Sequence, residues 1–384
     1  MVPEKFILQA PLFHRCNLNC AFCMERTENT RDTEVSYEYI KNLPQKLIDV
    51  NRDEIMKRNY LQVITVGVCG GEIFMDSLPD EIYIWYYYYF KVLDELLCDV
   101  FPHIEEVNWN WNTTLVFENR DRVDKFLSIV IGAINTSYDS VERFSTEEQK
   151  KIWYDNLMYY RDRIGSVTFV FTKQNVPTLM KDPMIKAIPE EITLDASYYY
   201  PSNPDYPKRI PSDALLYEFL KWGVDTKLFN CSQIADCFNT FVQPDGVSLY
   251  CSCFEGNSWV DRDDLQLNCF DQFAASKYYK PEDYKKLIQM DRFDKKTNIS
   301  DDVRGCFYCE YNGKCQKMCY MMVNSKLYKL DELCPFYRIY KYIELNDKLI
   351  DEYKDYKKRV DKYNLERMDK YNGHTKPDEV SDSI

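Results

Sequence analysis

Cys16, Cys20 and Cys23 stand at C-x3-C-x2-C spacing, with Phe22 before the last of them. Three thiolates so placed can hold three irons of a cubane 4Fe–4S cluster and leave the fourth open to a small chelating molecule. The competing reading is zinc, whose structural sites normally take four protein ligands. No fourth cysteine lies nearby, and His14 is the one histidine within reach in sequence. A second set follows far downstream: Cys231, Cys237, Cys251, Cys306, Cys309, Cys315, Cys319 and Cys334. These eight thiolates are what two fully ligated cubanes require. Cys306, Cys309, Cys315 and Cys319 alone would also suit a zinc ribbon or knuckle. Cys69 and Cys98 read as core or near-core thiols. Cys253 and Cys269 lie among the downstream set and keep an altered ligand arrangement open.

Composition narrows the setting. Fifteen cysteines against three histidines (His14, His103, His374) point to metal held mainly by sulfur. In a reducing compartment, such a count means metal ligation or redox chemistry rather than disulfides. No apolar run approaches the roughly 20 residues of a membrane span. The start, MVPEKFILQA, lacks the layout of a secretion signal. The expected location is therefore the cytoplasm. A formal charge of −13 disfavours a phosphate backbone as partner. At 384 residues, two domains and a tail are expected.

The elements that must position these cysteines alternate in the first half. Strands are predicted at 5–10, 62–68, 106–112, 130–137, 167–172 and 191–196, with helices between them, among them 36–50 and 81–97. Repetition of this kind gives a parallel sheet, and six units make a partial (β/α) barrel. The four-proline run 199–212 marks the expected boundary, after which the alternation stops. A metal-held domain should follow, then an amphipathic helix over 336–367 and a disordered tail from about 373. The tyrosine run Tyr86–Tyr89 reads as aromatic packing of a helix on the barrel rather than a redox device.

The cysteine motif directly after the first strand resembles that of the radical S-adenosylmethionine (SAM) family. The likeness extends to further strand ends in the same order. Gly70-Gly71-Glu72 resembles the family's GGE segment, Asn108–Thr114 its third-strand end, Ser137-Tyr138-Asp139 its S-x-D segment, and 172–175 its fifth-strand end. The resemblance implies SAM contacts at Gly70, Gly71, Glu72, Asn112, Ser137, Asp139 and Asn175, with Glu72 accepting from the methionyl ammonium. It also implies a 4Fe–4S cluster on Cys16, Cys20 and Cys23, reductive cleavage of SAM, and hydrogen abstraction by a 5′-deoxyadenosyl radical.

The downstream cysteines resemble the SPASM domain of radical SAM peptide and protein maturases. That likeness implies one auxiliary cluster on Cys231, Cys237, Cys251 and Cys319, and another on Cys306, Cys309, Cys315 and Cys334. The implied organisation is a radical SAM partial barrel over 1–205, a SPASM domain over 206–338, a helix over 339–372 and a tail. The implied substrate is a peptide or protein, oxidised or crosslinked, with a flavodoxin- or ferredoxin-like electron donor as partner. Ser252 stands where sulfatase maturases carry an Asp, which weighs against that role. The first strand begins so early that leader recognition is expected from a separate protein or not at all. Modification of a small molecule, nucleoside or sugar is the second reading, and a non-catalytic electron carrier the third. Asp195, at the expected sixth strand end, and Ser252 are the positions from which a base could act.

Overall fold

The computed structural model describes residues 5–21, 23, 35–57, 62–189, 192–198 and 212–225, short strands at 239–242 and 248–249, and isolated positions between 338 and 366. Six parallel strands form its centre: β1 (Lys5–Pro11), β2 (Val63–Cys69), β3 (Glu106–Asn112), β4 (Ala133–Tyr138), β5 (Ile164–Phe171) and β6 (Thr193–Tyr198). Each pairs with the strand before it, so the sheet runs β6-β5-β4-β3-β2-β1. Right-handed crossovers in sequential order put all the helices on one face, which is how a sheet curls towards a (β/α) barrel.

The crossovers carry α1 (Tyr37–Lys57), α2 (Glu81–Val100), α3 (Arg120–Leu127), α4 (Glu147–Tyr159), α5 (Val176–Leu179) and α6 (Pro183–Lys186). Local chemistry starts several of them cleanly. Asn119 caps α3 by accepting from the Arg122 N–H, and Thr146 caps α4 by accepting from the Gln149 N–H.

Strand alternation sorts the side chains. Trp109 and Trp111 of β3 point at the helices and are buried. Trp109 meets Tyr89 and Phe90 of α2 edge-on, and Trp111 meets Phe126 of α3 at 4.9 Å. Tyr138 of β4 packs on Trp153 of α4 in the same layer. Tyr86 and Tyr89 are fully buried there, so half of the tyrosine run is core. Burial pushes both phenols above their ordinary range.

The opposite face is polar. Across the strands, Gln9, Gly67 and Asn110 align, then Asn112, Asn135 and Ser166, then Ser137 and Thr168. Apart from Gly67, these residues are half-buried.

Several expectations shift. α1 runs to Lys57 rather than ending near Val50, because buried Asn51 donates back to the Leu47 carbonyl and Ile55 continues the apolar stripe. β4 starts at Ala133, after a turn through Gly132 at φ +110°. β6 runs to Tyr198, which leaves Asp195 within the strand rather than at its end. Cys98 is exposed, since the buried stripe of α2 passes through Leu93 and Leu97 instead.

Alternation also continues beyond the expected boundary. α7 (Asp213–Asp225) is followed by β7 (Asn239–Val242), which pairs in parallel with β1, and β8 (Ser248–Leu249) pairs antiparallel with β7. The free edge of β1 is thereby covered. Tyr342 from the C-terminal segment donates to Asp225 at 2.7 Å, and Arg338 stacks on Tyr217 at 3.8 Å. The downstream cysteines from Cys231 to Cys334, the proline run up to residue 211 and the tail lie outside the described residues. Among the described residues, no helix is long and apolar enough to cross a membrane.

Candidate functional site

The cysteine motif leaves the C-terminal end of β1. In a barrel of parallel strands this is the edge where reactive groups gather. Cys20 is buried, Cys16 and Cys23 are half-buried, and none of the three is in a disulfide. The loop turns on itself: the Leu18 N–H donates to Cys16 Sγ at 3.4 Å and the Cys23 N–H to the Cys20 carbonyl at 3.2 Å. Burial, and then the nearby charge of Glu72, push the Cys16 thiol up to about 12. Among the described residues, no three His, Cys, Asp or Glu side chains converge as ligands of one metal ion. A cubane asks for a different layout, with one iron for each thiolate. The soft thiol set, at the rim of a polar face and with one member buried, fits such a cluster.

The end of β2 reaches the same place. The Gly71 and Glu72 N–H groups donate to the Phe13 and Arg15 carbonyls at 2.7 and 2.9 Å, just before Cys16. A Cβ on Gly70 would lie 2.3 Å from the Phe13 oxygen, and one on Gly71 only 1.7 Å from the Arg15 oxygen. Gly70 also sits at φ +128°, where a side chain is strained. These glycines therefore let the backbone entering the cysteine loop lie directly on β2.

Glu72 is fully buried. Its carboxylate accepts from the Phe74 N–H at 2.8 Å, the Thr113 hydroxyl at 2.6 Å and the Thr114 N–H. Burial pushes its pKa up while those hydrogen bonds oppose the rise. The side chain thus spans β2 to the loop after β3 rather than facing outward. Asn112 donates to the Val68 carbonyl at 2.9 Å and stays half-buried.

On the far side, Asp139 is fully buried too. It accepts from the Val141 and Glu142 N–H groups, both at 2.7 Å, and from the Asn175 carboxamide. Asn175, buried at the end of β5, is held by Thr172 in both directions. Ser137 remains half-buried and accepts from Arg143 at 2.6 Å.

Arg143 is the residue that motif matching missed. Its side chain belongs to a residue only 5% exposed, and it reaches Ser137, the Thr114 carbonyl and Cys20 Sγ, the last at 3.9 Å. A buried guanidinium normally has a carboxylate partner, and none of these hydrogen bonds goes to one. The available signal was a lone cation a few residues past a strand-end Asp. Asn17 was missed as well; its carboxamide donates to the Val116 carbonyl.

No protein-family model matches the sequence, and no curated protein resembles it in sequence. Solved structures do match in shape. One is anSMEcpe, an anaerobic sulfatase-maturating enzyme, with AdoMet and the Cp18Cys peptide bound; TM-score is 0.53, identity 15%, and coverage 92% of this chain and 99% of that one. The chain has the anSMEcpe fold. A hexahistidine-tagged form of anSMEcpe with AdoMet matches at TM-score 0.55 and 14% identity, over 91% of this chain and 98% of that one. Native anSMEcpe with AdoMet and the Kp18Cys peptide also matches at 0.55 and 14%, covering 92% of this chain and all of that one (100%). The α/β partial-barrel class expected from the sequence is therefore the observed one.

Proposed function

We propose that this protein is a radical SAM enzyme that modifies a peptide. The observation that carries the reading is the C-x3-C-x2-C loop at the C-terminal end of β1, in a fold shared with AdoMet-bound anSMEcpe. Cys16, Cys20 and Cys23 would hold the cluster, each with one iron. The chemistry such a cluster supplies is one-electron reduction of the SAM sulfonium, giving methionine and a 5′-deoxyadenosyl radical that removes a hydrogen atom from substrate.

The protein's own groups bind and orient. Arg143, buried beside Cys20 with no carboxylate among its hydrogen-bond partners in the described residues, is suited to the SAM carboxylate. Backbone groups of Gly70 and Gly71, with Asn112 and Ser137, remain exposed enough to meet the rest of the cofactor. Glu72, Asp139 and Asn175 are fully buried and lie behind this site. Asn175 holds Asp139 in place.

The polar face of the sheet favours a peptide. From Gln9 to Thr168 it carries mostly carboxamides and hydroxyls, and the register continues the last row to Asp195 on β6. Such groups pair well with peptide amides and poorly with a phosphate, which calls for cationic donors. The peptide-bound anSMEcpe structures agree with that choice. Two auxiliary clusters on the eight downstream cysteines would take the electron from the substrate radical, completing its oxidation. A flavodoxin- or ferredoxin-like donor would supply the first electron.

Anaerobic purification and reconstitution, with iron and zinc measured on one sample, tests the reading. About twelve irons per chain from three cubanes, with 5′-deoxyadenosine formed from SAM and dithionite, is the expected result. Zinc in place of iron at Cys16, Cys20 and Cys23 would overturn it.

A further inference from the structure

We propose that Glu72 and Asp139 are positioning residues that grip the two ends of the cysteine loop, Glu72 at the Cys16 end and Asp139 at the Cys20 end. The inference rests on the reading that this loop holds a cluster.

At the Cys16 end, Glu72 ties β2 to the loop after β3 through Thr113 and Thr114. That loop presents the Val116 carbonyl to Asn17, the residue after Cys16. The backbone of Gly71 and Glu72 meanwhile holds Phe13 and Arg15, the residues leading into it. Leu115, in the middle of the tied loop, sits at φ +57°, a conformation that a leucine keeps only where its surroundings impose it.

At the Cys20 end, Asp139 folds the segment after β4 by accepting from Val141 and Glu142. The Glu142 carbonyl then receives the Ala21 N–H at 3.0 Å, and the Arg143 carbonyl lies 3.9 Å from Cys20 Sγ. Asn175 anchors Asp139 from the end of β5. Each carboxylate is fully buried and takes at least three hydrogen bonds. Fully buried, neither turns a face to a ligand. Both sit just past a strand at the same sheet edge, Glu72 after β2 and Asp139 after β4. Ligands held this firmly by their surroundings are what a multi-thiolate site needs to stay assembled.

The test uses the full chain, loaded anaerobically, with Glu72→Gln, Asp139→Asn and the milder Thr113→Val and Asn175→Ser. Iron retained against a chelator is followed in time, alongside the electron paramagnetic resonance spectrum of the reduced cluster. Affinity for S-adenosylhomocysteine is measured on the loaded protein. Iron loss should accelerate about tenfold, as expected for one lost hydrogen bond to a charged group, with a broadened cluster spectrum and unchanged affinity. Wild-type iron retention with lost affinity would make these groups direct SAM contacts and overturn the proposal. Wild-type behaviour in both would overturn it too. If the two carboxylate variants do not fold, the milder pair decides by the same criteria. A wild-type protein that binds no iron at this loop would instead remove the cluster reading itself, and the inference with it.

Discussion

The two faces of the β1–β6 sheet are made of different chemistry, although the same strands supply both. Towards the helices lie Trp109, Trp111, Tyr138 and Phe169, in a layer joined by ring contacts to α2, α3 and α4. On the other face the register aligns Asn112, Asn135 and Ser166, and then Ser137 and Thr168. Strand geometry makes this division possible, because successive side chains point to opposite sides. In β3 the sequence Asn108-Trp109-Asn110-Trp111-Asn112 writes both faces at once. Aromatic packing is concentrated on one face and the proposed recognition on the other, so a change on either should leave the other largely intact.

The largest expected effect falls at the edge that joins them. Replacing Cys16, Cys20 and Cys23 together with Ala should remove about four irons and all SAM cleavage. The aromatic layer is untouched, so the circular-dichroism melt of the apo-protein should barely move. A collapse of the melt would mean that the loop supports the core, and the separation of roles would fail. Next in size is Trp111→Ala on the helix-facing side. Removing a fully buried indole should cost about 3–5 kcal/mol in denaturant unfolding. The molecules that remain folded should still load iron and cleave SAM. Loss of iron from that folded fraction would show that the two faces are coupled.

The alternation in β3 and the glycine pair after β2 were legible in the sequence because each has a local cause. Trp and Asn alternate with the strand period, and Gly70-Gly71 stands where nothing larger fits. The roles of Glu72 and Asp139 were not legible. Beside local partners, each has a distant one, 41 and 36 residues away in Thr113 and Asn175, and no local pattern announces those. Arg143 was hidden similarly, since what singles it out is burial beside Cys20 across 123 positions of sequence. The pairing of β7 with β1 joins segments even farther apart. Cys98 misled because a thiol in an apolar helix reads as core until the helix's phase on the sheet is known.

A smaller effect should come from the link between the helix-facing layer and α6. Asp182 accepts from the Tyr138 hydroxyl at 2.6 Å and from Lys150 at 3.0 Å, and it caps Met184. Burial pushes its carboxyl up, but the hydrogen bonds from Tyr138, Met184 and Lys150 outweigh this and hold it below the usual range. The folded protein therefore binds this proton less tightly than the unfolded chain. The resulting stability is present above the ordinary aspartate value of about 3.9 and is lost as pH falls through the lower folded value. Asp182→Asn should cost about 1–3 kcal/mol at neutral pH and flatten the acid limb of the stability profile. An unchanged acid limb, followed by urea unfolding from neutral pH down to about pH 3, would assign that limb to other carboxylates.

Asn110→Ala probes the polar face at its centre and should have the smallest effect on folding. Asn110 is half-buried, pairs in register with Gly67 and Ala133, and lies outside the aromatic layer. A substitution there should stay within about 0.5 kcal/mol in urea unfolding. If this face receives a peptide, the same variant should weaken peptide binding by the worth of one hydrogen bond, about 0.5–1.5 kcal/mol. That corresponds to a loss of affinity from about twofold to tenfold. SAM cleavage without peptide should be unaffected, because the cysteine loop and the ends of β2 and β4 are unaltered. Titrating a candidate peptide into wild-type and variant proteins, with uncoupled 5′-deoxyadenosine as the control, separates the outcomes. Equal affinity would move the peptide off this face. Weaker binding with normal uncoupled cleavage would place substrate recognition on the side of the strands away from the tryptophans.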